Sequence, residues 1–172
     1  MRFFTVVLFL LLTVTGVSAQ DTVKWLTIEE AVAKSNVNPK PILIDIYTDW
    51  CGWCKRMDKD TYQNPVIASY INENYYAVKL NGEEKRDITF MGKTFVYQAQ
   101  GRRGYHELAA GLMKGRLSYP ATTFLNKDKQ VLQHIPGYQD KKKFETILAF
   151  FNDENYKKTS WKEFEKNFKS SI

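Results

Sequence analysis

The stretch from Ile42 to Thr61 constrains the fold of this chain more than any other. It opens Ile42-Leu43-Ile44-Asp45-Ile46-Tyr47-Thr48, an apolar, β-branched run of the kind that forms a strand buried on both faces. Asp49-Trp50-Cys51-Gly52-Trp53-Cys54 follows, and then Lys55-Arg56-Met57-Asp58-Lys59-Asp60-Thr61, which has no Gly or Pro and suits a helix that starts near Cys51. A helix N-terminus carries unpaired N–H groups and partial positive charge, and both stabilise a thiolate. A cysteine so placed commonly titrates at roughly 3.5–7.5. Cys54 falls one turn inside on the same face, within disulfide reach of Cys51. The expected product is an exposed, acidified nucleophile with a resolving thiol beside it, which are the parts of thiol–disulfide exchange.

The 172 residues suffice to bury one core, and we read residues 20–172 as one domain. Residues 1–19 stand apart. Met1-Arg2, an apolar run from Phe3 to Leu12 and the small-residue end Val17-Ser18-Ala19 describe a signal peptide cleaved after Ala19. Its apolar core is short for a membrane span, and no later stretch suggests an integral span after cleavage. Export makes the cysteine count informative. A disulfide-stapled scaffold uses several pairs, whereas this chain has 2 cysteines, three apart, which cannot staple distant segments. Without Arg2 the 25 basic residues become 24 against 19 acidic ones, a net charge of +5 that reads as a solubility feature rather than a nucleic-acid surface. Lys141-Lys142-Lys143 reads as a solvated helix face.

The rest of the chain supplies the elements that a strand–helix centre needs. Thr27 and Glu30 form a capping box for a helix to about Ser35, and Asn38-Pro39-Lys40-Pro41 turns into the central strand. Asn64 and Pro65 open a helix with Val66, Ile67, Tyr70 and Ile71 on one face, followed by a strand over 75–80. That order makes a right-handed crossover between parallel strands. Residues 88–97 form a hairpin turning at Gly92-Lys93, Arg102-Arg103 a solvated loop, and 105–113 a short helix. Pro120 heads a strand, and Val131-Leu132-Gln133-His134-Ile135 pairs back on it after the turn at 126–129. Asp140 caps a helix carrying Phe144, Ile147, Leu148 and Phe151, and Ser160 with Glu163 forms the capping box of a last helix with Trp161, Phe164 and Phe168.

Asp45, Trp50 and Cys51-Gly52-Trp53-Cys54 stand at the spacings of thioredoxin-fold oxidoreductases, and the chain resembles that family over about 25–151. The string Thr48-Asp49-Trp50-Cys51-Gly52-Trp53-Cys54-Lys55 resembles its secreted branch and the periplasmic domain of the membrane electron-transfer protein that supplies reductant there. The resemblance implies an α/β fold, a central mixed β-sheet flanked by helices. Here an insertion over 82–118 precedes the Pro120 strand and a helical extension over 152–172 follows. It implies that Pro120 is a cis-Pro beside the cysteines, that Tyr119 offers its backbone to a substrate segment, and that Lys79 is the lysine that pairs with Asp45. It also implies periplasmic or secreted protein substrates with disulfides or thiols, a membrane electron-transfer partner, and no cofactor beyond the Cys51–Cys54 disulfide.

From the residues themselves, Asp45 is an acid in an apolar strand, so burial should raise its pKa and suit it to exchange a proton with Cys54. Trp50 and Trp53 should make an apolar collar around Gly52 and the sulfurs where substrate rests. Trp53 stands where typical thioredoxins have Pro, removing a rigid element and adding a backbone donor near the sulfurs. Three alternatives stay open at this point. One is an oxidant that donates disulfides, another a binding module with an idle Cys pair. The third is a zinc site using the pair with His106 and His134, whose spacing does not suit it. We read both histidines as surface or packing residues.

Overall fold

The computed structural model describes residues 22–152 and 154–172. The signal peptide expected over 1–19 lies outside the described residues. The chain runs β1 (Trp25–Leu26), α1 (Ile28–Val37), β2 (Ile42–Tyr47), α2 (Gly52–Met57) and α3 (Pro65–Asn74), then β3 (Tyr76–Asn81). Two ribbons follow, β4 (Ile88–Phe90) with β5 (Lys93–Phe95) and β6 (Tyr97–Gln100) with β7 (Arg103–His106). Then come α4 (Glu107–Leu112), β8 (Ala121–Leu125), β9 (Val131–Pro136), α5 (Lys141–Asn152) and α6 (Trp161–Asn167). The main sheet has the order β1-β3-β2-β8-β9. β1 and β2 lie parallel to β3, β8 antiparallel to β2, and β9 antiparallel to β8. This is the expected mixed α/β sheet with β2 at its centre.

The period of two along β2 divides the core. Ile42, Ile44 and Ile46 pack with Ile28 and Ala31 of α1 and Leu108 and Leu112 of α4 on one face. Leu43 joins Met57, Ile67, Ile71, Phe124 and Phe144 on the other, under α2, α3 and α5. Asp45 shares the parity of Leu43 and so belongs to the α2 face. Thr27 and Glu30 close the expected capping box, and α1 runs two residues past Ser35. Asn64 caps α3 with Pro65 in its first turn. Among the expected α3 face residues, Val66 is instead 39% exposed, one position off the buried stripe of Ile67, Ala68 and Ile71.

The insertion departs most from expectation. Its first hairpin turns at Met91-Gly92, one residue earlier than read, because both residues adopt positive φ (51° and 77°), as a two-residue hairpin turn requires. Arg102-Arg103 is not a free loop: Arg103 opens β7, and Tyr105 is a strand residue rather than helical. The ribbon β6–β7 is fixed through His106 N–H to Gly82 C=O (2.7 Å) and Glu107 N–H to Val96 C=O (3.0 Å). At the other end Ser160 caps α6 by accepting from Glu163 N–H, but the Glu163 carboxylate accepts from Thr159, so only half of that capping box forms. The rings of Trp161 and Phe164 pack against Phe150 of α5. No helix among the described residues is long and apolar enough to cross a membrane.

Candidate active site

At the end of β2 the chain bends so that Cys51 N–H donates to Thr48 C=O (3.1 Å), and Cys51 becomes the N-cap of α2. Its sulfur accepts the N–H of Cys54 at 3.0 Å, a bond that satisfies one of the free donors of the first turn. The two cysteines form a disulfide with Cα atoms 5.3 Å apart. An exposed nucleophile was expected, but Cys51 is only 5% exposed and Cys54 4%. Bonded to Cys54 and to its N–H, the Cys51 sulfur is folded against the first turn, while Trp50 (50% exposed) and Trp53 (56%) project. The two indoles therefore stand proud of the sulfurs, which are recessed beside them.

Each indole is held by an arginine and a tyrosine. The Arg103 guanidinium lies over Trp50, 4.2 Å from the ring centroid, and Tyr119 meets that ring edge-on at 5.9 Å. The Trp50 indole N–H donates to Glu83 (3.0 Å). Trp53 has Arg56 at 5.2 Å and Tyr138 at 5.6 Å. The Tyr119–Pro120 peptide is cis, Pro120 is buried, and Gly52 is exposed with open space around it. Tyr119 also explains Gly82. A Cβ at Gly82 would come within 2.4–2.7 Å of the Tyr119 ring and hydroxyl, while Gly82 N–H is fixed to Tyr47 C=O at 2.7 Å. The tyrosine must therefore yield. Gly82→Ala is expected to lose about 1–3 kcal/mol of stability and to turn Tyr119 off Trp50, which urea denaturation and the Trp50 indole N–H resonance would register. Unchanged values for both would show that the contact is not needed.

Beneath this surface lies a charged cluster. Asp45 and Lys79 are cross-strand partners, with Lys79 Nζ 3.0 Å from Asp45 Oδ2, and Asp45 is 2% exposed. Lys79 also bonds the Asp58 carboxylate. Trp25, Tyr47 and Tyr62 place their ring centroids 4.9, 5.2 and 5.6 Å from its ammonium. Burial raises Asp45 from its ordinary 3.8 to about 6, against the attraction of Lys79 and with the Asp58 charge adding to the rise. Burial pulls Lys79 down, but Asp45 and Asp58 together outweigh it and hold the ammonium above the ordinary lysine value.

Cys51, Cys54, Trp50, Gly52 and Trp53 thus share one loop and helix start, with Tyr119 packed on Trp50, the buried Pro120 next to it in the chain, and Asp45 with Lys79 below the α2 face. Sequence reasoning missed Asp58, Glu83, Gly82, Arg103 and Tyr138. Asp58 had a signal, since it stands four residues after Cys54 on the same helical face; the signal at Arg103 was the pair Arg102-Arg103, which reads as a binding patch or, by preference, a solvated loop. His106 is fully buried, its Nδ1 accepting from Leu108 N–H (3.2 Å) as the cap of α4, and His134 lies on β9. Among the described residues no group of three His, Cys, Asp or Glu is placed to hold a metal ion.

Comparison with known proteins agrees with this geometry. The family model Thioredox_DsbH, described as "Protein of unknown function, DUF255", matches residues 15–171. Uncharacterized protein B0495.5 of Caenorhabditis elegans is 32% identical over 77 residues, 45% of this chain and 11% of that protein. Thiol:disulfide interchange protein DsbD of Pectobacterium atrosepticum is 36% identical over 45 residues, 26% of this chain and 7% of that one. The chain therefore spans about a tenth or less of the length of these curated relatives. Among solved structures, a thioredoxin-fold protein from Helicobacter pylori superposes with a TM-score of 0.59 at 22% identity, covering 75% of this chain and 84% of that one. That likeness is one of fold.

Proposed function

The chain belongs to the Thioredox_DsbH family, and from that premise we propose that it is a thiol–disulfide oxidoreductase acting on protein disulfides in the cell envelope, as a reductase or exchange protein. The observation that carries the reading is the Cys51–Cys54 disulfide at the start of α2, with Cys51 Sγ accepting the Cys54 N–H. In the reduced protein that N–H would stabilise a Cys51 thiolate. The thiolate attacks one sulfur of a substrate disulfide, forming the mixed disulfide and releasing the other substrate sulfur as a thiolate. Cys54 then loses its proton to the Asp45 carboxylate and attacks Cys51 Sγ. The Cys51–Cys54 bond re-forms, and the second substrate thiolate leaves. Two electrons pass from the pair to the substrate, and the two released thiolates take up protons. Lys79 holds Asp45 in place and moderates its basicity. Trp50, Gly52, Trp53 and Tyr119–Pro120 form the surface on which the substrate segment lies.

The basic start, apolar run and small-residue end expected of a signal peptide over 1–19 support an envelope address, periplasmic or secreted. The similarity to part of a thiol:disulfide interchange protein supports electron supply from a membrane electron-transfer partner. The pair carries the electrons, so no diffusible cofactor is invoked. The reduction potential of the pair, titrated against glutathione with tryptophan fluorescence, tests this reading. We expect a value near that of thioredoxin, roughly −270 mV. A value near the strong oxidants, roughly −120 mV, would reverse the direction to disulfide donation. No transition at all would leave only a binding module.

A further inference from the structure

We infer that the groove between Trp50 and the β6–β7 ribbon docks an extended, acidic segment flanking the reacting cysteine of a protein substrate, and that Arg103 selects for its acidity. The inference rests on the oxidoreductase reading and names its substrate class. The groove encloses about 340 Å³ and is lined by Trp50, Glu83, Gln100, Arg103, Leu117 and Tyr119. Its wall is the insertion itself, anchored at His106 and Glu107. Because Cys51 is recessed beside a projecting indole, a helix about 10 Å across would not bring a sulfur to it, whereas a single extended strand fits.

Charge sets the composition of that strand. Glu83 lines the groove and keeps its negative charge while it accepts from the Trp50 indole N–H. Among the described residues Arg103 has no carboxylate partner; its contact is the face of Trp50, which leaves its N–H donors for an incoming group. Residues 96–118 carry Arg102, Arg103, Lys114 and Arg116 against Glu107 alone, and the Glu107 carboxylate already accepts from Val96 N–H and Gln98. The insertion is therefore net positive along this stretch of its sequence, while Arg103 and Glu83 are the two charged residues that line the groove itself. An acidic segment gains a charge-assisted bond at Arg103.

The test uses two disulfide-linked peptides identical except for glutamate or lysine on both sides of the cysteine, reduced by the whole protein. KM is expected to be two- to fivefold lower for the glutamate peptide, the size an exposed ion pair supports. The two peptides should have similar kcat, and the preference should vanish near about 0.5 M salt. Arg103→Glu should reverse the preference and Arg103→Lys keep it; Arg103→Gln, which should abolish it, serves if the charge reversal does not fold. Equal KM values, or a preference unmoved by either substitution, overturn the inference. A cysteine-free glutamate peptide should also shift the Trp50 indole N–H resonance of the oxidised protein. Absence of that shift overturns docking whatever the redox result. Failure to reduce either peptide, with the shift present, instead overturns the oxidoreductase reading and leaves the groove standing.

Discussion

Replacing Cys51 by serine is expected to lower the rate of protein-disulfide reduction by at least about 10³-fold, the scale on which loss of a covalent nucleophile is felt. Replacing Cys54 by alanine should act differently. Cys51 keeps its position at the start of α2, and the backbone N–H of residue 54 that now reaches its sulfur at 3.0 Å is retained. The first half of the reaction therefore survives and the second does not, so the Cys54→Ala protein should accumulate a mixed disulfide with its substrate, visible as a covalent adduct that reductant releases. Both substitutions remove the disulfide, which for so short a loop is worth about 2 kcal/mol in the oxidised protein. The comparison is therefore made between reduced proteins, where that contribution is absent. A Cys54→Ala protein that traps nothing from an envelope extract, while Cys51→Ser reduces substrate as fast as the wild type, would leave the pair without a catalytic role.

The parts of the site that could be read from the sequence are those where local chemistry and fold agree. β2 announces itself by its apolar run and the body of α2 by the Gly- and Pro-free run that begins at Lys55. The caps at Thr27 and Asn64 follow from side chains that satisfy orphan N–H groups whatever the tertiary context. Asp45 was legible because an acid in an apolar strand needs a reason, and its partner Lys79 followed from resemblance and lies opposite it in the register. Arg103 was illegible because its position depends on how the β6–β7 ribbon folds back over Trp50, and nothing in Gly101-Arg102-Arg103-Gly104 encodes that approach. Gly82 carries no local signal, because what requires it is the Tyr119 ring that the fold brings to where its Cβ would be. The recess of Cys51 was missed for a related reason. A helix start by itself implies exposure, whereas here the sulfur turns back onto the first turn and the neighbouring indoles rise past it.

Asp45→Asn is expected to make the protein more stable at neutral pH and worse at exchange. The folded protein holds the Asp45 carboxyl at about 6, against an ordinary 3.8. Below about pH 4 the group is neutral in both folded and unfolded chains and costs nothing. As pH rises from about 4 to 6 the unfolded chain releases its proton first, so the folded chain binds more protons and stability falls. Above about 6 the full cost of the buried carboxylate remains, about 2–3 kcal/mol at 1.36 kcal/mol per pKa unit. Asparagine removes that cost, and Lys79 keeps Asp58 as its partner. The gain should appear in urea denaturation at pH 7.5 and disappear at pH 4. The same change removes the acceptor for the Cys54 proton, so the resolving step should slow by about 10²-fold, the lower end of what a positioned base supplies. Its rise through pH 6 should also vanish from the profile. The two effects have one origin: a carboxylate basic enough to take a thiol proton is one that the folded protein holds at a cost. A variant that is less stable at pH 7.5, or that keeps the wild-type pH profile, would show that Asp45 serves only to anchor Lys79.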